Sequence, residues 1–335
     1  MTLGWGILGC GSIAESFASQ LATVPDAGHL AAVASRSAER AAAFAARHGG
    51  TDCQSYQALL DDPSVDVVYI ALPNDLHAQW SQRTAEAGKH VLCEKPACMD
   101  AAELATTLAA CEANDVLFME AFMYRCHPRW QRLRSMLDDG EVGALRLLEL
   151  RFGIQLPNEP NIRQHRAHGG GALMDLGAYG VSLARLICAE EPCAVHALAA
   201  IEPGSVDQFG AAMLQFPSGC IAQISFGYHS PLPWTAAIHG STGRIDISDP
   251  WCFCGTPDFI ATTHGDEIET CERIDDQLGN YAREARHLAA AITAGQRECA
   301  AMTWADSRGQ AATMDALRAA IGLHWDASTP VEQHA

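Results

Sequence analysis

The chain has 335 residues, 48% of them hydrophobic and 19% charged, so it can bury two cores of ordinary size and is not disordered by composition. Its 22 basic residues against 40 acidic ones give a formal net charge of −18, which argues against nucleic acid or an anionic membrane surface as a partner. The sequence has neither an apolar run of about 18 residues nor a basic segment before an apolar run at the amino terminus. It therefore predicts no membrane span and no signal peptide, and it favours a cytoplasmic protein.

Short apolar runs alternate with amphipathic or alanine-rich stretches through the first 122 residues. The apolar runs lie at residues 5–8, 29–34, 65–71, 90–93 and 116–121. Helical patterns lie between them, at residues 13–23, 38–48, 76–87 and 100–114. This β-α-β alternation predicts an α/β fold with a doubly wound, mostly parallel Rossmann sheet over residues 1–122.

The pattern changes after residue 122. Helices are predicted over 128–137 and 172–188, with a strand over 145–152 and a Gly169-Gly170-Gly171 turn between them. Strand-like runs follow at hairpin spacing, over residues 195–201, 211–216, 220–226, 235–239 and 244–247. We therefore predict an α+β domain over residues 123–335, with a large, mostly antiparallel open sheet and with C-terminal helices that pack back on the first domain.

The segment Gly9-Cys10-Gly11-Ser12-Ile13-Ala14 follows a predicted strand and opens a predicted helix. Glycines at these positions permit a tight turn and the close approach of a pyrophosphate, while the helix N-terminus offers free N–H groups. A glycine-rich turn without a ligand is the alternative. The β-α-β context favours dinucleotide binding, with Gly9, Gly11, Ser12 and Ile13 at the phosphates.

The end of the second predicted strand indicates which dinucleotide is bound. Ser35 and Arg36 lie there, at the interval where NAD-binding sequences carry an acidic residue for the ribose hydroxyls. A guanidinium suits a 2′-phosphate that an aspartate would repel. The sequence therefore favours NADP over NAD, although a solvated surface arginine is the alternative for Arg36.

Lys89 and Lys95 are the only lysines in the chain. Lys89 follows Gly88 in a turn, where we expect simple solvent exposure. Lys95 lies in Glu94-Lys95-Pro96 directly after a predicted strand, which places it at the mouth of the cofactor crevice. Asp175 and Tyr179 are four residues apart on a predicted helix, so that both project from one face and can converge with Lys95.

Thirteen cysteines occur without a CxxC pair. Cys252 and Cys254 form a CxC segment, but no further ligands cluster around it in the sequence. Reduced, mostly buried thiols are the preferred interpretation, and we predict no metal site.

Further motifs are Ala71-Leu72-Pro73-Asn74, His77, the segment 120–125 (Glu-Ala-Phe-Met-Tyr-Arg) and the segment 169–179. Together with the motifs above, they resemble the glucose-fructose oxidoreductase/inositol dehydrogenase (Gfo/Idh/MocA) family over nearly the whole chain. The Met-Tyr-Arg segment and Tyr179 look closest to the dihydrodiol dehydrogenase and NADP-dependent D-xylose dehydrogenase branch. Inositol dehydrogenases typically carry histidine at the position of Tyr179, so their substrate is not carried over.

The resemblance implies a site between the two domains, where NAD(P) meets a sugar, polyol or diol. By position, Lys95, Asp175 and Tyr179 inherit the catalytic roles. The resemblance further implies that Leu72, Pro73, Asn74 and His77 line the nicotinamide ribose region with Glu94 nearby, and it assigns Arg125 and Arg163 more weakly to substrate or cofactor. It also implies a homodimer through the open sheet, for which Ile224, Phe226 and Trp234 are the candidate surface residues.

Oxidation of a carbinol requires a base for the hydroxyl proton while hydride passes to the nicotinamide. Tyr179 is the predicted base, since an ammonium at Lys95 favours the phenolate, and Asp175 would orient Lys95. His165 or His168 on the preceding loop is the next base to consider. Two other functions stay open: a hydrolase or lyase that oxidises its substrate transiently with tightly held NAD, and a non-catalytic NAD(P)-sensing regulator.

Overall fold

The computed structural model describes residues 2–157, 161–202, 204–251, 258–264, 267–274 and 277–325. Its first sheet consists of parallel strands. The sheet has six strands in the order β3-β2-β1-β4-β5-β6. They are β1 Gly4–Leu8, β2 His29–Ala34, β3 Thr51–Cys53, β4 Val67–Ile70, β5 His90–Glu94 and β6 Phe118–Ala121. This order reverses between β1 and β4, which opens a ligand crevice at the carboxyl ends of these strands.

Helices cover both faces of this sheet. They are α1 Ser12–Leu21, α2 Ala38–His48, α3 Tyr56–Leu60, α4 Asn74–Glu86 and α5 Ala101–Ala113. The predicted doubly wound sheet is confirmed. The elements β3 and α3 were not predicted, because β3 is three residues long and its residues are polar or half-buried rather than apolar and alternating.

The second sheet has eight strands in the order β14-β13-β12-β11-β7-β10-β9-β8. They are β7 Leu145–Ile154, β8 Ala194–Ile201, β9 Asp207–Gln215, β10 Ile221–Tyr228, β11 Thr235–Gly240, β12 Arg244–Ser248, β13 Asp258–His264 and β14 Glu267–Ile274. Strands β7 and β10 are parallel and the other pairs are antiparallel, as predicted for a mostly antiparallel sheet. The carboxyl ends of β7 and β10 therefore lie side by side.

The remaining α-helices follow the first sheet in the chain. They are α6 Arg129–Asp138, α7 Ala178–Cys188, α8 Asn280–Thr293 and α9 Trp304–Ala320, with a π-helical turn over Leu173–Gly177 before α7. Helix α8 packs on α1, where the backbone N–H of Tyr281 donates to Gln20 Oε1 at 2.9 Å. Helix α9 packs on α5, so the C-terminal helices lie against the first domain.

Helix α7 covers one face of the second sheet. Gly180 lets it approach closely, since a Cβ atom there would lie 2.4 Å from Ile224 Cγ2, and Phe226 packs beside Gly177. The prediction that Ile224 and Phe226 face a dimer partner is therefore wrong: alternate residues of β10 face opposite sides, and these two face the helix. Trp234 is exposed, and its indole N–H donates to the Gly153 carbonyl at 2.7 Å.

Among the described residues, one helical stretch, Arg166–Cys188, is long and apolar enough to cross a membrane, and 83% of its apolar window is buried, as expected for a core helix. The cysteines within the described ranges are free thiols. Cys252 and Cys254 lie outside those ranges.

Candidate active site

The turn between β1 and α1 leaves room for an anion. Gly9 has φ +103°, and a Cβ atom there would lie 2.3 Å from the Ala71 carbonyl oxygen. A Cβ atom at Gly11 would meet no heavy atom within 4 Å, so open space lies in front of this residue. Helix α1 begins at Ser12 and Ile13 without a side-chain cap, which leaves its first N–H groups free. These features fit the pyrophosphate of a dinucleotide.

Ser35 and Arg36 follow β2 on the same edge of the sheet. Arg36 is exposed, and its guanidinium makes no hydrogen bond or ion pair to a described residue. The next helix, α2, is capped by Ser37, whose Oγ accepts the backbone N–H of Arg40 at 3.2 Å. Arg40 is a second exposed guanidinium that the sequence analysis did not single out, one helical turn beyond Arg36. Two exposed arginines therefore lie at this edge, with the exposed Glu39 between them in the chain.

Lys95 and Asp175 meet across the two domains. Lys95 Nζ lies 2.7 Å from Asp175 Oδ1 and donates to the Asp175 backbone carbonyl at 2.9 Å. The other carboxylate oxygen, Oδ2, accepts from Arg163 Nε at 2.9 Å and from the Tyr228 hydroxyl at 3.2 Å. The structure thus brings together three residues singled out from the sequence, Lys95, Asp175 and Arg163, and adds Tyr228.

The charges around Asp175 keep its carboxylate ionised. Burial alone would raise the pKa of Asp175, but Lys95 and Arg163 outweigh it and hold the pKa below its usual range. Glu94 has the opposite balance, since burial raises its pKa despite hydrogen bonds from the Tyr69 hydroxyl and from the Lys95 backbone N–H. Asp175 is therefore the stable counter-ion of Lys95.

Tyr179 lies beside this ion pair. Lys95 Nζ is 4.8 Å from the centroid of the Tyr179 ring, so the ammonium lies over the ring face rather than against the hydroxyl. The hydroxyl is 3.6 Å from Met123 Sδ. Aromatic rings of Phe122, Phe152 and Trp251 surround the Tyr179 ring at centroid distances of 5.3 to 5.8 Å. The phenol is thus held in a mostly apolar pocket with one cation above it.

Asp175 belongs to the π-helical turn Leu173–Gly177, and Tyr179 is the second residue of α7. The sequence predicted a continuous α-helix at this point. Single π-helical turns occur often at functional sites, because the extra residue re-aims the side chains of the turn.

The loop before this helix is fastened to the first domain. Asn74 Nδ2 donates to the Gly169 carbonyl at 2.9 Å, and His168 Nδ1 lies 3.0 Å from Asp75 Oδ1. Leu72 and Pro73 lead into α4 at the same edge. His165 and His168 have ring centroids 6.2 Å apart on this loop.

His77 and Arg125 do not present their side chains to this cluster. His77 is buried, and its ring nitrogens lie 2.7 Å from the Pro96 carbonyl and 2.8 Å from the Leu72 carbonyl, so it ties two backbone segments of the crevice together. Arg125 is also buried and pairs with Asp306 at 3.0 Å, at the start of α9. The Arg125 side chain thus lies against α9, and its weaker assignment to substrate or cofactor stays a prediction.

Two family profiles match the chain. The GFO_IDH_MocA oxidoreductase family, described as having an NAD-binding Rossmann fold, matches residues 3–122, and the GFO/IDH/MocA C-terminal domain matches residues 130–246. Trans-1,2-dihydrobenzene-1,2-diol dehydrogenase of Mus musculus is 32% identical over 96% of this chain and 98% of its own. D-xylose 1-dehydrogenase (NADP(+)) 2 of Haloferax volcanii is 34% identical over 87% of this chain and 90% of its own.

A solved structure agrees with these matches over the whole fold. KijD10, a 3-ketoreductase from Actinomadura kijaniata crystallised with NADP and TDP-benzene, superimposes with a TM-score of 0.88 at 31% identity, covering 96% of this chain and 98% of that one. The family and the cofactor predicted from the motifs are confirmed. The chain belongs to the Gfo/Idh/MocA family of NAD(P)-dependent oxidoreductases.

Proposed function

We propose that the chain catalyses NADP-dependent hydride transfer between the nicotinamide and a carbinol or carbonyl carbon of a sugar, sugar alcohol or cyclic diol. The observation that carries this proposal is the ion pair of Lys95 and Asp175 between the two domains, with the Tyr179 ring against the ammonium. A group that accepts the hydroxyl proton, a cation that stabilises its ionised form and a counter-ion for that cation, all at the carboxyl edge of a Rossmann sheet, suit carbinol oxidation.

The cofactor-binding residues follow from the crevice. Gly9, Gly11, Ser12 and Ile13 would hold the pyrophosphate, Ser35 and Arg36 the 2′-phosphate, and Leu72, Pro73, Asn74 and Glu94 the nicotinamide ribose, with His77 acting through the backbone that it fixes. Bound NADP supplies the hydride acceptor in the oxidative direction and the hydride in the reductive one. Protein groups must therefore move only the proton.

Tyr179 takes that proton. In oxidation the substrate hydroxyl proton passes to the phenolate oxygen of Tyr179 as the C–H bond is broken, and in reduction the phenol returns it to the carbonyl oxygen. The ammonium of Lys95, 4.8 Å from the ring centroid, stabilises the phenolate, and Asp175 fixes that ammonium through two contacts. Arg163, half-exposed beside Asp175, is placed to meet a substrate hydroxyl at the mouth of the site.

Relatives guide the choice of substrate class. By their names, two of the similar proteins act on a dihydrodiol and on D-xylose, and the third is a 3-ketoreductase. An aldose-aldose oxidoreductase of Caulobacter crescentus, 26% identical with a TM-score of 0.87, extends the group to paired aldoses. A hydroxyl-bearing ring or chain is the feature common to these substrates.

The decisive experiment is a turnover screen. Aldoses, polyols and trans-diols are offered with NADP⁺ or NAD⁺, and absorbance of the reduced nicotinamide is followed. Stoichiometric reduction of NADP⁺ by at least one class supports the proposal. Substrate consumption without net cofactor reduction indicates transient oxidation by a hydrolase or lyase, and saturable cofactor binding without any turnover indicates a regulator.

We further propose a cytoplasmic homodimer with a domain boundary near residue 122. Its many free thiols suit a reducing compartment. Strand β6 ends at Ala121, which supports the boundary. The face of the second sheet opposite α7 exposes Leu198, Phe209 and Met213 on adjacent strands, so this face, and not Ile224 or Phe226, is the dimer surface that we propose.

A further inference from the structure

The helical segment that carries Asp175 and Tyr179 begins without a capping side chain of its own. Ala172 stands at its N-cap position and makes no side-chain hydrogen bond. Four α-helices within the described ranges have N-cap side chains that accept such a bond: Ser37, Ser55, Asp100 and Thr303. Here the acceptor comes from strand β9 instead, since Asp207 Oδ2 accepts the backbone N–H of Leu173 at 2.6 Å from 34 residues further along the chain.

Asp207 packs closely against the backbone of Gly171. Gly171 has φ +117°, and a Cβ atom there would lie 2.1 Å from Asp207 Oδ1, so only glycine lets the carboxylate approach the backbone. The Gly171 carbonyl accepts both the Asp175 backbone N–H at 3.0 Å and the Tyr228 hydroxyl at 3.1 Å. Asp207 therefore fixes the backbone immediately before the residues that bind Lys95.

Burying a carboxylate to make this hydrogen bond costs free energy. Asp207 is 0% exposed, and its Oδ1 has no hydrogen-bond partner among the residues that the structure describes. Burial raises the pKa of Asp207 to about 6. An asparagine of the same shape would accept the same N–H without burying a charge. Only the ionised form adds a charge-assisted hydrogen bond and a negative charge at a helix N-terminus.

We propose that Asp207 is a positioning residue, whose ionised carboxylate clamps the first turn of the catalytic helix to the second sheet and so holds Asp175 in register with Lys95. The inference rests on the proposed roles of Lys95, Asp175 and Tyr179. It assigns to strand β9 a part in the reaction although Asp207 touches neither the reacting atoms nor Asp175 itself.

Few other groups titrate around Asp207. Tyr228 faces it from β10, Asp175 lies in the turn that it caps, and Arg163 lies on the preceding loop, where its carbonyl accepts the Gly171 N–H at 2.8 Å. On β8, the residue paired with Asp207 is the apolar Ile201. Burial raises the pKa of Tyr228 well above its usual value, and the ion-paired Asp175 has a lowered pKa, so both keep one protonation state between pH 5 and 8.

Asp207→Asn tests the clamp with little change in shape. In wild type the carboxylate is ionised at pH 8 and protonated at pH 5, and the protonated form resembles the neutral amide. The ratio of wild-type to variant kcat should therefore be about tenfold or more at pH 8 and should fall to within about twofold at pH 5. NADPH affinity, measured by its fluorescence, should stay within about twofold of wild type at both pH values. Asp100→Asn, which alters the cap of α5, is the matched control and should leave kcat unchanged.

Thermal melting separates positioning from simple stabilisation. The raised pKa means that ionised Asp207 opposes folding above pH 6, so Asp207→Asn should melt no lower than wild type at pH 8. A kcat ratio that is independent of pH, or a fall in kcat matched by a fall in melting temperature, would overturn the inference. Failure of the proposed function looks different: it would show as a Tyr179→Phe enzyme with unimpaired kcat.

Discussion

At the scale of one side chain, we predict that Arg36 decides cofactor choice. Its guanidinium has no partner among the described residues, so it is available to the 2′-phosphate, where hydrogen bonds to a charged group contribute about 1.5–3 kcal/mol. Arg36→Ala should lower the NADP-to-NAD ratio of kcat/KM by about tenfold to a hundredfold. Arg297→Ala is the control, since that exposed arginine pairs with Asp115. An unchanged ratio in Arg36→Ala would remove this residue from the cofactor site.

Single residues also show where sequence reasoning stops. Lys95 could be predicted because a lysine directly after an apolar strand of a Rossmann sheet must lie at the crevice. Lys89 could not: it is buried, not exposed as expected, and its Nζ donates to the carbonyls of Asp62 at 2.8 Å and Val65 at 2.7 Å. The buried ion pair of Arg125 could not be predicted either, since its partner Asp306 is 181 residues away in the chain.

At the scale of elements, strand β10 supports the turn that carries Asp175. The Tyr228 hydroxyl reaches both Asp175 Oδ2 and the Gly171 carbonyl, and no sequence motif marked this tyrosine. Its contribution depends on the register of β10 beside the helix. Periodicity predicts a strand there but not which helix lies above it.

Tyr228→Phe should lower kcat by about tenfold, because Asp175 loses one hydrogen bond but keeps those from Lys95 and Arg163. That hydrogen bond helps to hold the pKa of Asp175 down, so its loss raises the pKa, and any acid limb of the kcat profile due to Asp175 should move to higher pH. Tyr124→Phe loses a buried hydroxyl that donates to Ser182 at 2.8 Å and is the matched control for stability. Equal effects of the two variants on kcat and on the acid limb would contradict the role of Tyr228.

The sequence predicted whether a segment is a helix or a strand better than it predicted which face of a strand is buried or where a helix contains a π-helical turn. The alternation in the first 122 residues is strong enough to predict the parallel sheet, and the hairpin spacing predicted the second one. The π-helical turn at Asp175 was predicted as α-helix because a single extra residue leaves the apolar pattern nearly unchanged. Ile224 and Phe226 were placed on the wrong face because alternation defines two faces without showing which one a helix covers.

The whole molecule is predicted to be a dimer. Leu198, Phe209 and Met213 are 83%, 54% and 49% exposed on one sheet face, and burial of such side chains contributes about 1.5–3 kcal/mol each. Light scattering should show a dimer at micromolar concentration and a monomer for Leu198→Asp/Met213→Asp. Ile162→Asp, an exposed position away from this sheet, is the control. A monomeric wild type, or a double variant that stays dimeric, would contradict the proposed surface.

The most direct test of the central claim is a double-mutant cycle on the chemical step, with Lys95→Met, Tyr179→Phe and the double variant. Each single substitution should lower kcat by about 10²–10⁴, the usual contribution of positioned acid–base catalysis, while NADPH affinity for Tyr179→Phe stays near wild type. Because both residues serve one proton transfer, the double variant should lose little more than the worse single variant. If Tyr179→Phe kept more than about a third of wild-type kcat with a full isotope effect on the C–H bond, Tyr179 would not be the acid–base group, and His165 or His168 would have to be tested in its place.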